Sequence, residues 1–341
     1  MATIDDVAKA AGVSKGTVSN VFSRKRPVSD EVSRRVLEAA RQLNFRPNYW
    51  ARSLSTKQTR IIGLNMPGER AKFSHFHLNL LNGALQECFE RGYRLLVDTL
   101  ADEFQQRVEY VASSPTDGEI LLDPRVNDPR IAERVEENTP VVVIGRPAGA
   151  FINRVSYVDN DNVEVARRVT EYLIQCHHRH ILFLNTIETR TVAEDRAKGY
   201  RLAFEEAGLR ADARLLLHQE PGSTSIEFGY RKFKEMLSRH PHITAVITDT
   251  DKMALGVYRA AAEAGVRIPQ DLSVFAFSDD SVFAPEFSPP LSGVRLNAEV
   301  LGAEAARMLI EQLSSDTSVI KRVLVPFELV VRDSCAPVSA E

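Results

Sequence analysis

The sequence predicts a small helical N-terminal domain joined to an α/β core built as two doubly wound parallel sheets. Three observations carry this. Residues 3–44 keep a helical apolar period, broken by turn chemistry at two places. From residue 61 onward, short apolar runs alternate with amphipathic helical stretches, the pattern of a parallel sheet with helices on both faces. The stretch of that alternation is too long for one such sheet and suits two, each with its ligand-facing loops at the strand carboxyl ends. Two or three domains is also what a chain of 341 residues implies.

In the first segment, Thr3 is placed to cap a helix, with Asp6 three residues on as in a capping box. Ile4, Val7, Ala8 and Ala11 fall on one face, and Gly12 supplies the turn because it takes a positive φ without steric cost. Ser14 then caps a second helix, apolar inside at Val18, Val21 and Phe22. Its outer face carries Lys15, Gly16, Thr17, Ser19 and Asn20. Short polar groups on the outside of a compact helix suit a major groove; an ordinary amphipathic hairpin needs the same caps and spacing. Ser29 caps a third helix, with Asp30 and Glu31 in its first turn and Val32, Val36, Leu37, Ala40 and Leu43 turned inward. Pro47 ends that region, and Asn48 is placed to cap a short basic helix over 49–56. That stretch is either a polar linker with one apolar residue or a hinge whose Leu54 wedges into a minor groove.

Charge separates the two parts. Residues 1–60 hold 12 Lys and Arg against 5 Asp and Glu, although the whole chain has a net charge of −3. A basic end on a weakly acidic protein is the footprint of a polyanion partner, whose phosphates give salt-dependent affinity. No apolar stretch approaches a membrane span, and Asp5, Asp6 and Lys9 interrupt any signal-peptide core. Cys88, Cys176 and Cys335 are distant and odd in number, which suggests no disulfide framework and a reducing, cytoplasmic setting. Strands are expected at 61–65, 94–97, 119–122, 141–144, 181–184, 245–248 and 273–277. Helices are expected at 78–91, 162–176, 197–207, 226–239, 253–264 and 298–313.

Several ordered motifs span the chain. They are Thr3-Ile4-x-Asp6-Val7-Ala8-x-x-Ala11-Gly12-Val13-Ser14-x-x-Thr17-Val18-Ser19, Arg46-Pro47-Asn48-x-x-Ala51-Arg52-Ser53-Leu54 and Thr59-x-x-Ile62-Gly63. Later come Glu90-Arg91-Gly92-Tyr93, Val158-Asp159-Asn160, Asp251-x-Met253-Ala254-Leu255-Gly256 and Leu329-Val330-Val331-Arg332-Asp333-Ser334. On these the chain resembles, essentially end to end, the lactose/galactose repressor family of bacterial transcription regulators. The resemblance implies a helix-turn-helix headpiece (1–46), a hinge helix (47–58) and an effector-binding and dimerisation core of the periplasmic-binding-protein type (59–341). Within the core it implies a first subdomain of about 60–158 plus 291–321 and a second of about 160–289 plus 322–335. It further implies a homodimer or tetramer on a palindromic operator, switched by a small effector through linkage. A carbohydrate operon with a sugar or sugar phosphate effector is the leading expectation, with a purine- or nucleoside-responsive regulator, or an activator, as the alternative. A transporter's solute-binding protein shares the core fold but leaves residues 1–60 without purpose. No catalytic constellation or cofactor motif is expected.

By the same resemblance Lys15, Gly16 and Asn20 occupy the base-reading positions, and the glycine leaves one of them without a side chain. Thr17, Ser19 and Arg26 then fix register on phosphates, with the caps Thr3, Ser14 and Ser29 beside them. Leu54 becomes the minor-groove wedge, and Ala51 allows the partner hinge helix to approach. In the core, Arg196, at the start of its expected helix, is the leading effector contact, since a guanidinium fork suits vicinal oxygens. Asp159 and Asn160 either touch ligand or hold the hinge. Phe76 and His77 match a covering loop, where His77 is either a ligand contact or an exposed loop residue. Two stretches depart from the family pattern. At Ala276-Phe277-Ser278-Asp279-Asp280, either Ser278 replaces a ligand-binding aspartate or Asp279 takes its role. At Thr248-Asp249-Thr250-Asp251, Thr250 replaces an asparagine and Asp249 adds a carboxylate. Cys176-His177-His178-Arg179-His180 invites a metal, but ligands so crowded rarely converge on one tetrahedral ion, and no metal is expected.

Overall fold

The structure is a computed structural model of the chain. It describes residues 2–23, 26–45, 58–66, 73–98, 115–279, 282–315 and 319–338. The chain forms two compact units, Met1–Thr59 and Arg60–Glu341.

In the first unit, helices α1 (Ile4–Ala11), α2 (Lys15–Ser23) and α3 (Asp30–Gln42) appear where capping and periodicity place them. Thr3 and Asp6 form the reciprocal capping box, and Gly12 takes the left-handed conformation at φ 64°. Ser14 Oγ accepts from the Thr17 amide at 3.1 Å, and Ser29 Oγ from the Val32 amide at 3.5 Å. Val7, Val18 and Val36 are fully buried at the centre of the small core, with Ala8, Ala11, Ala39 and Ala40 around them. Two expected core residues are misplaced: Leu37 and Leu43 are exposed, and Ala39 turns inward instead. Residues 32, 36, 39 and 40 make one stripe, from which Leu37 is rotated by about 100°; Leu43 is already the C-cap residue. The expected hinge helix, with Ala51 and Leu54, lies outside the described residues.

The second unit contains both expected sheets. The strands of the first are β1 (Ile61–Asn65), β2 (Arg94–Asp98), β3 (Gly118–Leu122), β4 (Val141–Ile144), β5 (Ser156–Asp159) and β11 (Arg322–Leu324). They run in the order β11-β5-β4-β3-β1-β2, parallel throughout. The second sheet comprises β6 (Ile181–Asn185), β7 (Leu216–His218), β8 (Ala245–Thr248), β9 (Ser273–Ala276), β10 (Ser292–Arg295) and β12 (Glu328–Val330). Its order is β12-β10-β9-β8-β6-β7, parallel except for the antiparallel β10–β12 pair. The expected subdomain boundaries need correction here. Residues 292–295 pair in the second sheet and 322–324 in the first, so the chain returns across at 296–297 and again at 325–327. Strand pairing alone decides this, because β10 is short and begins Ser292-Gly293, without an apolar run.

Helices cover the sheets: α4 (His75–Glu90), α5 (Pro129–Glu136), α6 (Asn162–Gln175), α7 (Thr191–Glu206), α8 (Ser225–Arg239), α9 (Asp251–Glu263) and α10 (Ala298–Ser314). Among the described residues, no helix is long and apolar enough to cross a membrane. Helices α4 and α10 approach closely at a glycine on each. A Cβ on Gly83 would lie 1.9 Å from the Glu299 carbonyl oxygen, and one on Gly302 would lie 2.0 Å from that of Leu80. Because the obstacle is backbone, the helices must separate to admit a methyl group. Gly302→Ala is therefore expected to destabilise the core by about 1–3 kcal/mol, as overpacked cores do. A lower urea midpoint checks this, and an unchanged midpoint contradicts the close approach.

Candidate functional site

In a doubly wound sheet, ligands meet the carboxyl ends of strands where the strand order reverses. In the first sheet that point lies between β1 and β3, and in the second between β6 and β8. Asn65 ends β1 and accepts a hydrogen bond from the buried Arg130 guanidinium at 3.0 Å; Arg130 in turn is paired with Asp128 at 2.7 Å. Asn185 ends β6, with its amide donating to the Ala193 carbonyl at 2.9 Å. The Asp249 carboxylate follows β8.

Arg196 gathers the polar groups of the second lobe. Its Nε donates to Asn162 Oδ1 at 3.0 Å and its Nη1 to Asp249 Oδ1 at 2.6 Å. The guanidinium lies over the Phe277 ring, 4.7 Å from its centroid. Burial pushes the Arg196 pKa down, while Asp249 and Asp159 counter it; an arginine stays charged in such a place. The helix holding Arg196 begins at Thr191, not 197, so Arg196 is in its second turn. No side chain caps that helix at Arg190, which is why sequence gave no start signal.

Asp159 and Asn160 divide their roles. Asn160 donates its amide to the Leu296 carbonyl at 3.1 Å and the Val325 carbonyl at 2.9 Å, so it ties all three crossings together. The Asp159 carboxylate accepts from the Asn160 amide at 2.8 Å and from Asn162 Nδ2 at 3.0 Å. Burial raises its pKa to about 7, aided by Asp195 and opposed by Arg196.

The two lobes touch on the open side of the cleft. The Val126 amide donates to the Thr189 carbonyl at 2.9 Å, and the Thr191 amide to the Pro124 carbonyl at 3.1 Å. Arg146 of the first lobe forks onto Asp195 at 2.7 Å and reaches Glu194 at 3.1 Å, while Arg190 reaches Asp123 at 3.4 Å. Phe76 packs against the cores of both lobes. It and His77 lie on the first turn of α4, not on a loop. His77 Nδ1 closes a capping box with Ser74, 2.8 Å from the hydroxyl. A histidine in the place usual for Glu or Gln hid that signal. Burial lowers the His77 pKa, with Asp123 opposing and Arg190 and Lys252 adding to the fall.

The remaining expected residues are placed differently. Thr250 caps α9, accepting from the Met253 amide at 3.2 Å. Asp279 is held by Arg332 at 2.6 Å and Arg295 at 3.4 Å, at the β10–β12 edge of the sheet. Ser278 is half-buried, its carbonyl 2.6 Å from where a Cβ on Gly293 would stand. Arg196 is thus surrounded by Asp249, Asn162 and the Phe277 ring, and of these only Asp249 is an expected site residue. His178, from the histidine-rich run, has both ring nitrogens engaged, by the Thr244 hydroxyl at 2.9 Å and the Ala336 carbonyl at 3.1 Å.

On the headpiece, Thr3, Ser14, Lys15, Gly16, Ser19, Arg26 and Ser29 are exposed, and Thr17 and Asn20 are half-buried. Ser14 and Thr17 hydroxyls bond each other at 3.0 Å. Lys15 pairs with Asp5 at 2.6 Å; both are well exposed, so the pair is worth little and yields easily to another anion.

Asp159 makes the core sensitive to pH. A carboxyl raised from 3.8 to about 7 keeps its proton in the fold over a range where the unfolded chain has lost it. Its contribution to stability therefore falls as pH rises through that range and stays low above it. Asp159→Asn keeps the hydrogen bonds without the charge. Its advantage in Tm over the parent is expected to grow between about pH 5 and about pH 8; a gap that does not change with pH contradicts this.

Comparison with known proteins agrees with both units. Residues 3–48 match the model for bacterial regulatory proteins of the lacI family, and residues 170–335 match that for the periplasmic binding protein-like domain. The regulator CelR of Thermobifida fusca is 32% identical over 336 residues, covering 97% of this chain and 98% of CelR. The ribose operon repressor of Escherichia coli K12 is 31% identical, covering 98% of this chain and all of the repressor. A solved complex of CelR with cellobiose superposes with a TM-score of 0.75 at 30% identity, over 98% of this chain and 100% of that one. The lac repressor dimer bound to operator and an anti-inducer shares the fold, with a TM-score of 0.83 at 24% identity over 98% and 99% of the two chains. The chain belongs to the lacI family of bacterial regulatory proteins.

Proposed function

We propose that this chain is a repressor of a carbohydrate uptake or catabolic operon, binding a palindromic operator as a homodimer and released or retained by a sugar-class effector. One observation carries the reading: an exposed helix-turn-helix accompanies a two-lobed core with a buried polar cluster at its strand ends. The effector acts by binding the two relations of the lobes unequally, since only differential affinity shifts an equilibrium. Lys15 and Asn20 are the base-reading side chains, suited to guanine O6/N7 and adenine N6/N7 respectively. Arg196, Asp249, Asn162 and Asp159 hold hydroxyl groups of the effector, and Phe277 backs the guanidinium. Such a regulator works beside the chromosome, in the cytoplasm, and the chemistry assigned to it is binding without a catalytic step.

The dimer reading rests on an apolar stripe. Leu78, Leu85 and Phe89 of α4 are exposed, Phe89 by 80%, and Leu96 and Val97 on the edge strand β2 are exposed beside it in sequence. Apolar surface at that spacing on one helix face suits a second copy of the chain.

Three experiments test these assignments. Enrichment from random duplex DNA is expected to yield a palindrome bound by the full chain, with affinity changed by a sugar. A fragment of residues 60–341 is expected to bind the same sugar by calorimetry and to lose the palindrome; specific DNA binding by that fragment overturns the headpiece assignment. Phe89→Asp is expected to shift sedimentation from dimer toward monomer, and an unaltered dimer moves the interface elsewhere.

A further inference from the structure

The Arg196 fork is already answered from within the chain. Asp249 takes Nη1 at 2.6 Å, and the two side chains are only 7% and 12% exposed. Asn162 takes Nε, and the Phe277 ring covers one face of the guanidinium. Two guanidiniums that join the lobes are paired as well, Arg146 with Asp195 and Glu194 and Arg190 with Asp123. Asp159 adds a further buried carboxyl beside Arg196. Lys252, exposed on the first turn of α9, and Arg125, half-buried on the cross-cleft strand contact, are cations at the edge of this arrangement.

From this we propose that Asp249 is a selectivity residue: it claims the Arg196 charge, so the cleft accepts a neutral polyhydroxylated effector and rejects its phosphorylated or otherwise anionic counterpart. The inference rests on the reading of the cleft as an effector site and narrows its ligand class. A hydroxyl both donates and accepts, so vicinal hydroxyls can give hydrogen bonds to Asp249 and Asp159 and accept from the remaining guanidinium N–H groups. A phosphate only accepts at these positions once ionised. It meets two carboxyls at short range, and to reach Arg196 it has to displace a buried partner that already neutralises the fork. Removing the Asp249 charge leaves Arg196 without that counterion and reverses the preference.

The test is calorimetry on the full chain with matched probes, cellobiose, glucose, galactose and ribose against cellobiose 6′-phosphate, glucose 6-phosphate, galactose 1-phosphate and ribose 5-phosphate. Wild type is expected to bind at least one neutral sugar and to bind its phosphate ester at least ~10-fold more weakly. Asp249→Asn and Asp249→Ser are each expected to move the ester-to-sugar affinity ratio at least ~10-fold toward the ester. Two substitutions are used so that the misfolding of one leaves the other, and the wild-type comparison needs neither. A wild-type preference for the esters overturns the selectivity role while leaving an effector cleft in place. An unchanged ratio in the folded variants overturns it too. A wild-type chain that binds no probe of either class overturns both the neutral-ligand assignment and the sugar-effector reading beneath it.

Discussion

Three segments of chain pass between the lobes, and one carboxamide holds them together. Asn160, on the first crossing, gives its two N–H groups to carbonyls of the second and third, at Leu296 and Val325. The Val325 amide returns a bond to the Asp159 carbonyl at 2.8 Å. Orphaning a buried polar group of this kind costs about 1–3 kcal/mol, so the crossings behave as one body. Everything at the cleft is placed by that body. Asp159 lies one residue before the clamp and Asn162 two residues after it, and Asn162 is what orients Arg196. The lobes can change their relation only about this strip, because it is where the backbone is shared.

On the opposite side of the cleft the contacts are of another kind. Two backbone hydrogen bonds and the Arg146 and Arg190 ion pairs join the lobes, and Glu194 at the end of one such pair is largely exposed. The Arg146–Glu194 arm is exposed and screened by salt, whereas the forked Arg146–Asp195 pair is mostly buried and is the firmer tie. The closed arrangement is therefore held by a few polar contacts and by Phe76, and a ligand shifts it by binding the two arrangements unequally. Had the closure been an apolar seam like that between α4 and α10, an effector of a dozen heavy atoms would have too little binding energy to open or lock it.

Much of the fold is legible in sequence because buried parallel strands must be continuously apolar. Ile181–Asn185 and Val141–Ile144 announce themselves in that way. The strands that escape notice are β5, β7, β10, β11 and β12. All five are three or four residues long; four have polar or half-exposed positions, and β5 opens on Ser156-Tyr157 without a run. Those short strands decide where the chain crosses, so the subdomain boundaries shift with them. The site follows the same rule. Arg196 and Asp249 are visible as chemistry in an expected place, but Phe277 reads as strand core and Asn162 as an ordinary first-turn residue. Only their packing around one guanidinium gives them a part. Asp279 shows the converse, a carboxylate in a suggestive motif whose charge Arg332 and Arg295 already use.

The headpiece obeys a tighter constraint. Seven buried residues, four of them alanines, make its core, so its helices lie close and its specificity must be carried by what projects outward. Gly16 projects nothing, so in the proposed reading Lys15 and Asn20 read bases from either side of an empty position. Lys15 is tethered to Asp5 across the turn, and a tethered ammonium is partly ordered before it meets DNA. The exposed pair is weak enough to break for a guanine or a phosphate, yet its acid discourages random phosphate contact. Affinity that depends on trading Asp5 for a better partner favours sites offering two good acceptors over those offering only backbone charge. In the proposed reading, sequence discrimination thus rests on two side chains, with the third reading position empty.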